Sequence, residues 1–369
     1  MYLFERTFAL SIFCLCMLIV FIIIYNGHFK SLKKVLLIYT FVLGIMAFFF
    51  VPPKGADLFR IFRILDSYGE KSFGIIMNKY VSTKSTPLAT LYYWFFAKIN
   101  IKNLLPFFNT IVVYVNIFYI LSDYTEKKKI DKRATALTFF LIMSSGFFME
   151  VISGIRTMLA FSILARCFYD EIYNDKKIIK NIFYYIISFL IHSSAVGILL
   201  FRFIYFFIFE NKNNILKNTF YIFLLLIVYY VFNSYILNSF DKLEAYAQNG
   251  DYFWIWEFIK ITIMIFTQYI ILSKFKKRRE RFFNYLLIIF TISIMIISGE
   301  FNIYLRFNYF SLLLMIPIIL DYYQTRVTSN TYSKSKNISI VFILSIVLLF
   351  ISCSRGNLSS LKFFIFNRE

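Results

Sequence analysis

The amino-acid sequence predicts an all-α polytopic integral membrane protein of about twelve transmembrane helices, with a large outer loop containing an interfacial or re-entrant helix. Three observations predict this. Apolar residues make up 60% of the chain and aromatics 22%, with a mean hydropathy of +0.68, far outside the soluble range. Apolar runs recur near the roughly 20 residues that a helix needs to cross a bilayer. The lysines and arginines fall mostly in alternate short loops, which orients the chain. Residues 1–369 read as a single membrane domain.

The first apolar runs are 7–25 and 35–51. No small-residue cleavage pattern follows the first, so a retained span is expected there and not a signal peptide. Residues 52–104 interrupt the rhythm and read as an extracytoplasmic loop, with Pro52, Pro53, Gly55, Asp57, Arg60, Arg63, Asp66, Glu70 and Lys71. Its second half, Thr86 to Ile101, carries Pro87, Leu88, Leu91, Tyr92, Trp94, Phe95 and Phe96 between Lys84 and Lys98. An aromatic segment edged by lysines suits a helix lying in the interface or dipping into the membrane.

Further runs follow at 105–122, 135–152, 155–170, 178–191, 195–209, 218–238, 254–273, 284–298, 306–320 and 338–352. From Ile178 to Phe209 the chain is too long for one span and short for two, so two short helices are expected to meet at His192, Ser193 and Ser194. Gln324 to Asn337 is rich in serine, threonine and asparagine and reads as a solvated inner loop.

With the N-terminus outside, the inner loops collect more than half of the 40 basic residues, including Lys127 to Lys129, Lys176, Lys177 and the cluster Lys274 to Arg281. The net charge of +20 is therefore a topology signal that also attracts anionic lipid, and nucleic acid is not an expected partner. Cys14, Cys16, Cys167 and Cys353 lack metal-ligand spacing and read as small apolar packers. The chain has no GxxxxGK[ST], GxGxxG or HExxH motif and no Asp-x-Asp pair, which disfavours ATP-driven transport and nucleotide-sugar chemistry. No metal and no cofactor is expected.

Four ionisable residues stand out. Arg156, following Gly154 at the outer start of an apolar run, offers a planar fork of donors to a phosphate or diphosphate; alternatively it snorkels and pairs with Glu150. Arg306 occupies the same setting on a later run, and the two together suit a diphosphate, with interfacial anchoring as the other reading. His192 serves as a neutral base, as a donor to phosphate or as a structural link between two short helices. Asp57 is either a proton acceptor near a sugar hydroxyl or an ion-pair partner of Arg60 or Arg63. Glu257 and Lys260, three apart, read as an intrahelical ion pair near the outer interface.

Taken in order, Gly55 to Arg63, Pro87 to Phe96, Ile155 to Ala160, Phe189 to Ala195 and Leu305 to Phe310 resemble the EpsG/Wzy family of bacterial polysaccharide polymerases. The chain departs from the family pattern at Thr86, where an acidic residue often precedes the early proline. The resemblance implies an enzyme that joins undecaprenyl-diphosphate-linked oligosaccharides at the outer face of the cytoplasmic membrane, transferring the growing chain and releasing undecaprenyl diphosphate. It implies membrane lipid and other capsule or exopolysaccharide assembly proteins as partners. On this reading Arg156 and Arg306 bind the diphosphate, His192 is a further donor or the base, and Asp57 is the competing base. Two other classes stay open: a flippase or exporter of the same lipid-linked sugars, and a membrane acyltransferase decorating the polysaccharide.

Overall fold

A computed structural model describes residues 2–27, 31–54, 56–82, 86–174, 178–195, 197–199, 202, 254–274, 284, 301–328, 332–354 and 361. The regular elements among them are helical: α1 (Tyr2–Asn26), α2 (Leu32–Phe49), α3 (Asp57–Gly69), the short α4 (Phe73–Ile75) running into a π-helical stretch (Ile76–Val81), α5 (Pro87–Ile99), α6 (Leu104–Lys128), α7 (Lys132–Ser144), α8 (Phe147–Ser153), α9 (Ile155–Tyr173), α10 (Ile178–Ile191), α11 (Trp254–Lys274), α12 (Phe301–Leu314), α13 (Ile316–Val327) and α14 (Tyr332–Ser354). α6 lies against α2 on one side and α9 on the other; α7 packs on α1, α13 and α14, and α9 also receives α10 and α12.

Leu15, Ile19 and Ile22 on α1, Leu37, Ile38 and Phe41 on α2, and Phe183 and Ile186 on α10 point outward. Apolar surface on this scale would be costly in water and is suited to hydrocarbon, as expected of an integral membrane protein. Among the described residues, three helices are long and apolar enough to cross a bilayer alone, within α1, α2 and α6, and the bent pair α7–α8 makes a fourth if it is one span. α9 and α10 cover the expected runs 155–170 and 178–191 but are not long and apolar enough to count as lone spans. α9 carries Arg156, Arg166, Asp170 and Glu171, and α10 has 14 residues, about 21 Å of rise. The run expected at 306–320 is divided at Met315, because Pro317 in the first turn of α13 cannot donate to the preceding turn. The spans expected at 218–238, most of 195–209 and nearly all of 284–298 lie outside the described residues.

The bend of 52° between α7 and α8 occurs at Gly146, whose φ of +78° is left-handed and whose Cβ, if present, would lie 2.9 Å from Ser352 Oγ. Only glycine meets both conditions without strain. Neighbouring helices take up backbone carbonyls released at the two breaks: Tyr309 Oη donates to Ser145 O at 3.0 Å, beside Gly146, and Asn109 Nδ2 to Val151 O at 2.9 Å, where α8 ends before Gly154. An interrupted helix inside a membrane protein needs such replacements.

The segment expected as an outer loop is a small helical module. Pro87 starts α5, and Asn100 at φ 60° ends it. Trp94 Nε1 donates to Lys71 O at 3.2 Å and Lys98 Nζ to Gly69 O at 2.7 Å, tying α5 to the end of α3. Tyr93, Phe96 and Ala97 face inward and Phe95 faces out. α3 also touches α8, and α5 touches α10, so the module sits where α9 begins and α10 ends.

Candidate functional site

Arg156 is placed by a glycine. Gly154 separates α8 from α9, its N–H donating to Glu150 O at 2.7 Å and its own carbonyl accepting from Met158 N at 3.0 Å. A Cβ at Gly154 would lie 3.0 Å from the Glu150 carbonyl oxygen, so a side chain would push the start of α9 away. With that turn in place, Arg156 stands exposed in the first turn of α9. Its Nη1 donates to Thr86 Oγ1 at 3.4 Å. Among the described residues no carboxylate lies within ion-pair distance of Arg156, so the expected alternative of pairing with Glu150 is not what this side chain does.

Arg306 comes to the same end of the bundle because α12 runs parallel to α9. Phe307 packs on Phe161 with centroids 5.7 Å apart, and Phe310 on both Phe161 and Phe168. Arg306 Nη2 lies 3.0 Å from Asp57 Oδ2, with side-chain exposures of 25% and 37%. The other Asp57 oxygen is held by Arg60 Nη2 at 2.8 Å. Asp57 is the first residue of α3, where a negative charge also meets the positive end of the helix dipole. The structure thus bonds Asp57 to Arg306 directly, and it realises the Arg60 pairing as well.

His192 is at the tip of a helical hairpin. α10 runs antiparallel to α9, since Asn181 Nδ2 bonds Cys167 O and Glu171 Oε1 and Phe168 packs on Tyr185. The chain is helical again at 195 and 197–199 and has returned by Arg202, whose Nε bonds Glu171 Oε2 at 2.7 Å. At the tip, Ser194 N–H donates to His192 Nδ1 at 3.1 Å and Ala195 N–H to His192 O at 3.1 Å. Because Nδ1 accepts, the neutral ring carries its proton on Nε2, which makes Nε2 a donor. Counting helical rise back from the Tyr185–Phe168 contact, His192 sits about a turn and a half further along α9 than Arg156. The two short helices expected on either side of His192 are therefore seen as far as the described residues extend.

The sequence reading passed over Tyr93. This side chain is only 5% exposed, two turns from Thr86 on the inner face of α5, and its hydroxyl has no hydrogen-bond partner among the described residues. Burial pushes the phenol up from its ordinary value; Arg156 opposes that, while Asp57 and Tyr68 add to it. The i,i+7 spacing from Thr86 was the available signal. Lys260 is fully buried, with Nζ 5.5 Å from the Tyr309 ring centroid. The side chain of Glu257, its expected partner, lies outside the described residues.

The arrangement is an excess of cationic donors. Two guanidiniums, those of Arg60 and Arg306, share the Asp57 carboxylate, and a third, that of Arg156, is exposed and held by a neutral hydroxyl. Such a set favours an anion with several oxygens. Among the described residues no group of three or more histidine, cysteine or acidic side chains is placed to hold a metal.

The model of the EpsG family matches residues 82–365, most of the chain. Thr86, Tyr93, Arg156, His192 and Arg306 fall within the match and Asp57 precedes it. No curated protein and no solved structure matches the chain.

Proposed function

The chain belongs to the EpsG family, and from that premise we propose that it is a polysaccharide polymerase of about twelve spans. It joins undecaprenyl-diphosphate-linked oligosaccharide repeat units at the outer face of the bacterial cytoplasmic membrane. The observation that carries this reading is the pair of arginines in the early turns of α9 and α12, at one end of the bundle, with Arg156 lacking a carboxylate partner among the described residues. The reaction breaks the bond between the donor sugar's anomeric carbon and the diphosphate, whose oxygen keeps the electron pair. A hydroxyl of the acceptor unit forms the new glycosidic bond and loses its proton. The main demand is therefore for preorganised positive charge at the leaving group.

On this reading Arg156 and Arg306 grip the diphosphate, and His192 donates to it through Nε2. Asp57 takes the proton of the acceptor hydroxyl: each carboxylate oxygen keeps a lone pair beyond the one given to an arginine. The acceptor and donor are both lipid-linked, so the lipid-facing flanks of the helices bring them to the site by lateral diffusion. Other capsule or exopolysaccharide assembly proteins are the expected neighbours.

The test is polymer size on a gel from cells carrying Arg156→Lys, with membrane protein level monitored. Lysine keeps the charge and loses the bidentate fork. Loss of long chains at normal protein level is expected, with single lipid-linked units accumulating on the outer leaflet. Unchanged chain length would remove the fork from the mechanism, and accumulation confined to the inner leaflet would point to a flippase.

A further inference from the structure

We infer that the Tyr93 hydroxyl is a further donor to the lipid diphosphate, completing on the α5 side the grip that Arg156 and Arg306 make from α9 and α12. The inference rests on the diphosphate reading above and adds a residue to it. Tyr93 is buried, its hydroxyl has no partner among the described residues, and it lies in the electrostatic field of Arg156 and Asp57.

A buried hydroxyl without a partner is a net loss to the folded state, and such orphans call for an explanation. Packing does not require it. Its neighbours Phe95 and Phe96 are plain rings, and Phe96 fills the same inner face of α5. Arg156, whose charge acts on the phenol, is movable, because it is exposed and tethered by one bond of 3.4 Å to Thr86 at the start of the same helix. A phosphate group that draws the guanidinium away from Thr86 brings an oxygen to the phenol, which donates its proton to that oxygen in a hydrogen bond. The phenol stays protonated for this purpose, because burial disfavours phenolate. No covalent change is involved.

The experiment uses the full-length protein purified in detergent, with thermal unfolding followed while undecaprenyl diphosphate is titrated and undecaprenol serves as the tail-only control. The free Tyr93→Phe protein is expected to melt at the wild-type temperature or above it, because the substitution removes an unpaired polar atom. Its apparent Kd for undecaprenyl diphosphate is expected to be about tenfold weaker, the loss of one hydrogen bond to a charged group. Equal affinity in Tyr93→Phe and wild type, with wild type preferring the diphosphate to undecaprenol, would overturn the role of Tyr93 and leave the diphosphate reading standing. A lower melting temperature of free Tyr93→Phe would assign the hydroxyl a structural partner and would overturn it too. No preference of wild type for the diphosphate would remove both.

Discussion

Arg306 Nη2 lies 3.0 Å from Asp57 Oδ2 across 249 positions of sequence, joining the first residue of α3 to the early part of α12. Both side chains are partly exposed, and exposed pairs contribute about 0–1 kcal/mol. The bond therefore orients Arg306 far more than it stabilises the fold. Asp57→Asn is expected to leave thermal stability within about 1 kcal/mol of wild type while polymer yield falls at least about tenfold, since the amide cannot hold two guanidiniums or take a proton. Polymer length on a gel and a melting curve of the purified protein measure the two effects separately. A stability loss with normal polymer would reverse the assignment.

The helical membrane character was legible in composition, and the unusual placement of Arg156, His192 and Arg306 was legible because charge in apolar runs is rare. The break at His192 followed from span length alone. Tyr93 was barely legible: among 28 tyrosines its spacing from Thr86 is its one mark, and Tyr39, Tyr114 and Tyr323 also bury hydroxyls without a partner among the described residues, so its place near the site emerges only once α5 is docked. The 306–320 run looked continuous because hydropathy weighs proline lightly, whereas the missing N–H of Pro317 ends a helix outright. Three-residue spacing to Glu257 suggests an intrahelical ion pair near the outer interface, whereas the approach of Lys260 to Gly146 and Tyr309 is seen only in the packing of α11.

The buried pair of Glu171 and Arg202, with side-chain exposures of 2% and 4%, ties the two arms of the His192 hairpin to the end of α9. Tyr185 and Asn181 also donate to Glu171. Removing one member of such a pair leaves a buried charge without compensation, which costs about 3–5 kcal/mol. Arg202→Met alone is expected to lower membrane protein level or melting temperature markedly. The double variant Glu171→Gln with Arg202→Met should recover most of that loss, because no charge remains to be compensated. A double variant as unstable as the single one would show that the hairpin needs the charges themselves.

Gly146 and Gly154 should differ in kind when replaced by alanine. Gly146→Ala forces a left-handed residue with a Cβ 2.9 Å from Ser352 Oγ, and a loss of about 1–2 kcal/mol in unfolding free energy is expected. Gly154→Ala keeps an ordinary φ but puts its Cβ 3.0 Å from the Glu150 carbonyl oxygen, so the start of α9 must shift by a few tenths of an ångström. Its effect should appear in polymer length more than in stability, because that shift moves Arg156. Similar activity in both variants at matched protein level would argue against placement of Arg156 by Gly154.

His192 offers a way to separate structure from chemistry, because its two ring nitrogens do different jobs. Nδ1 accepts from Ser194 N–H at 3.1 Å, closing the turn between α10 and the returning arm, and Nε2 carries the proton of the neutral ring. Asparagine places an oxygen near the position of Nδ1 and has nothing where Nε2 was; glutamine reaches the Nε2 position and gives up the local acceptor. If the Nε2 proton serves the diphosphate, His192→Asn should reach the membrane at normal level and make little polymer, whereas His192→Gln should keep part of the activity with a lower melting temperature. The opposite ranking, with polymer retained by asparagine and lost with glutamine, would make His192 a turn-closing residue. It would leave Arg156, Arg306 and the carboxylate of Asp57 to carry the reaction.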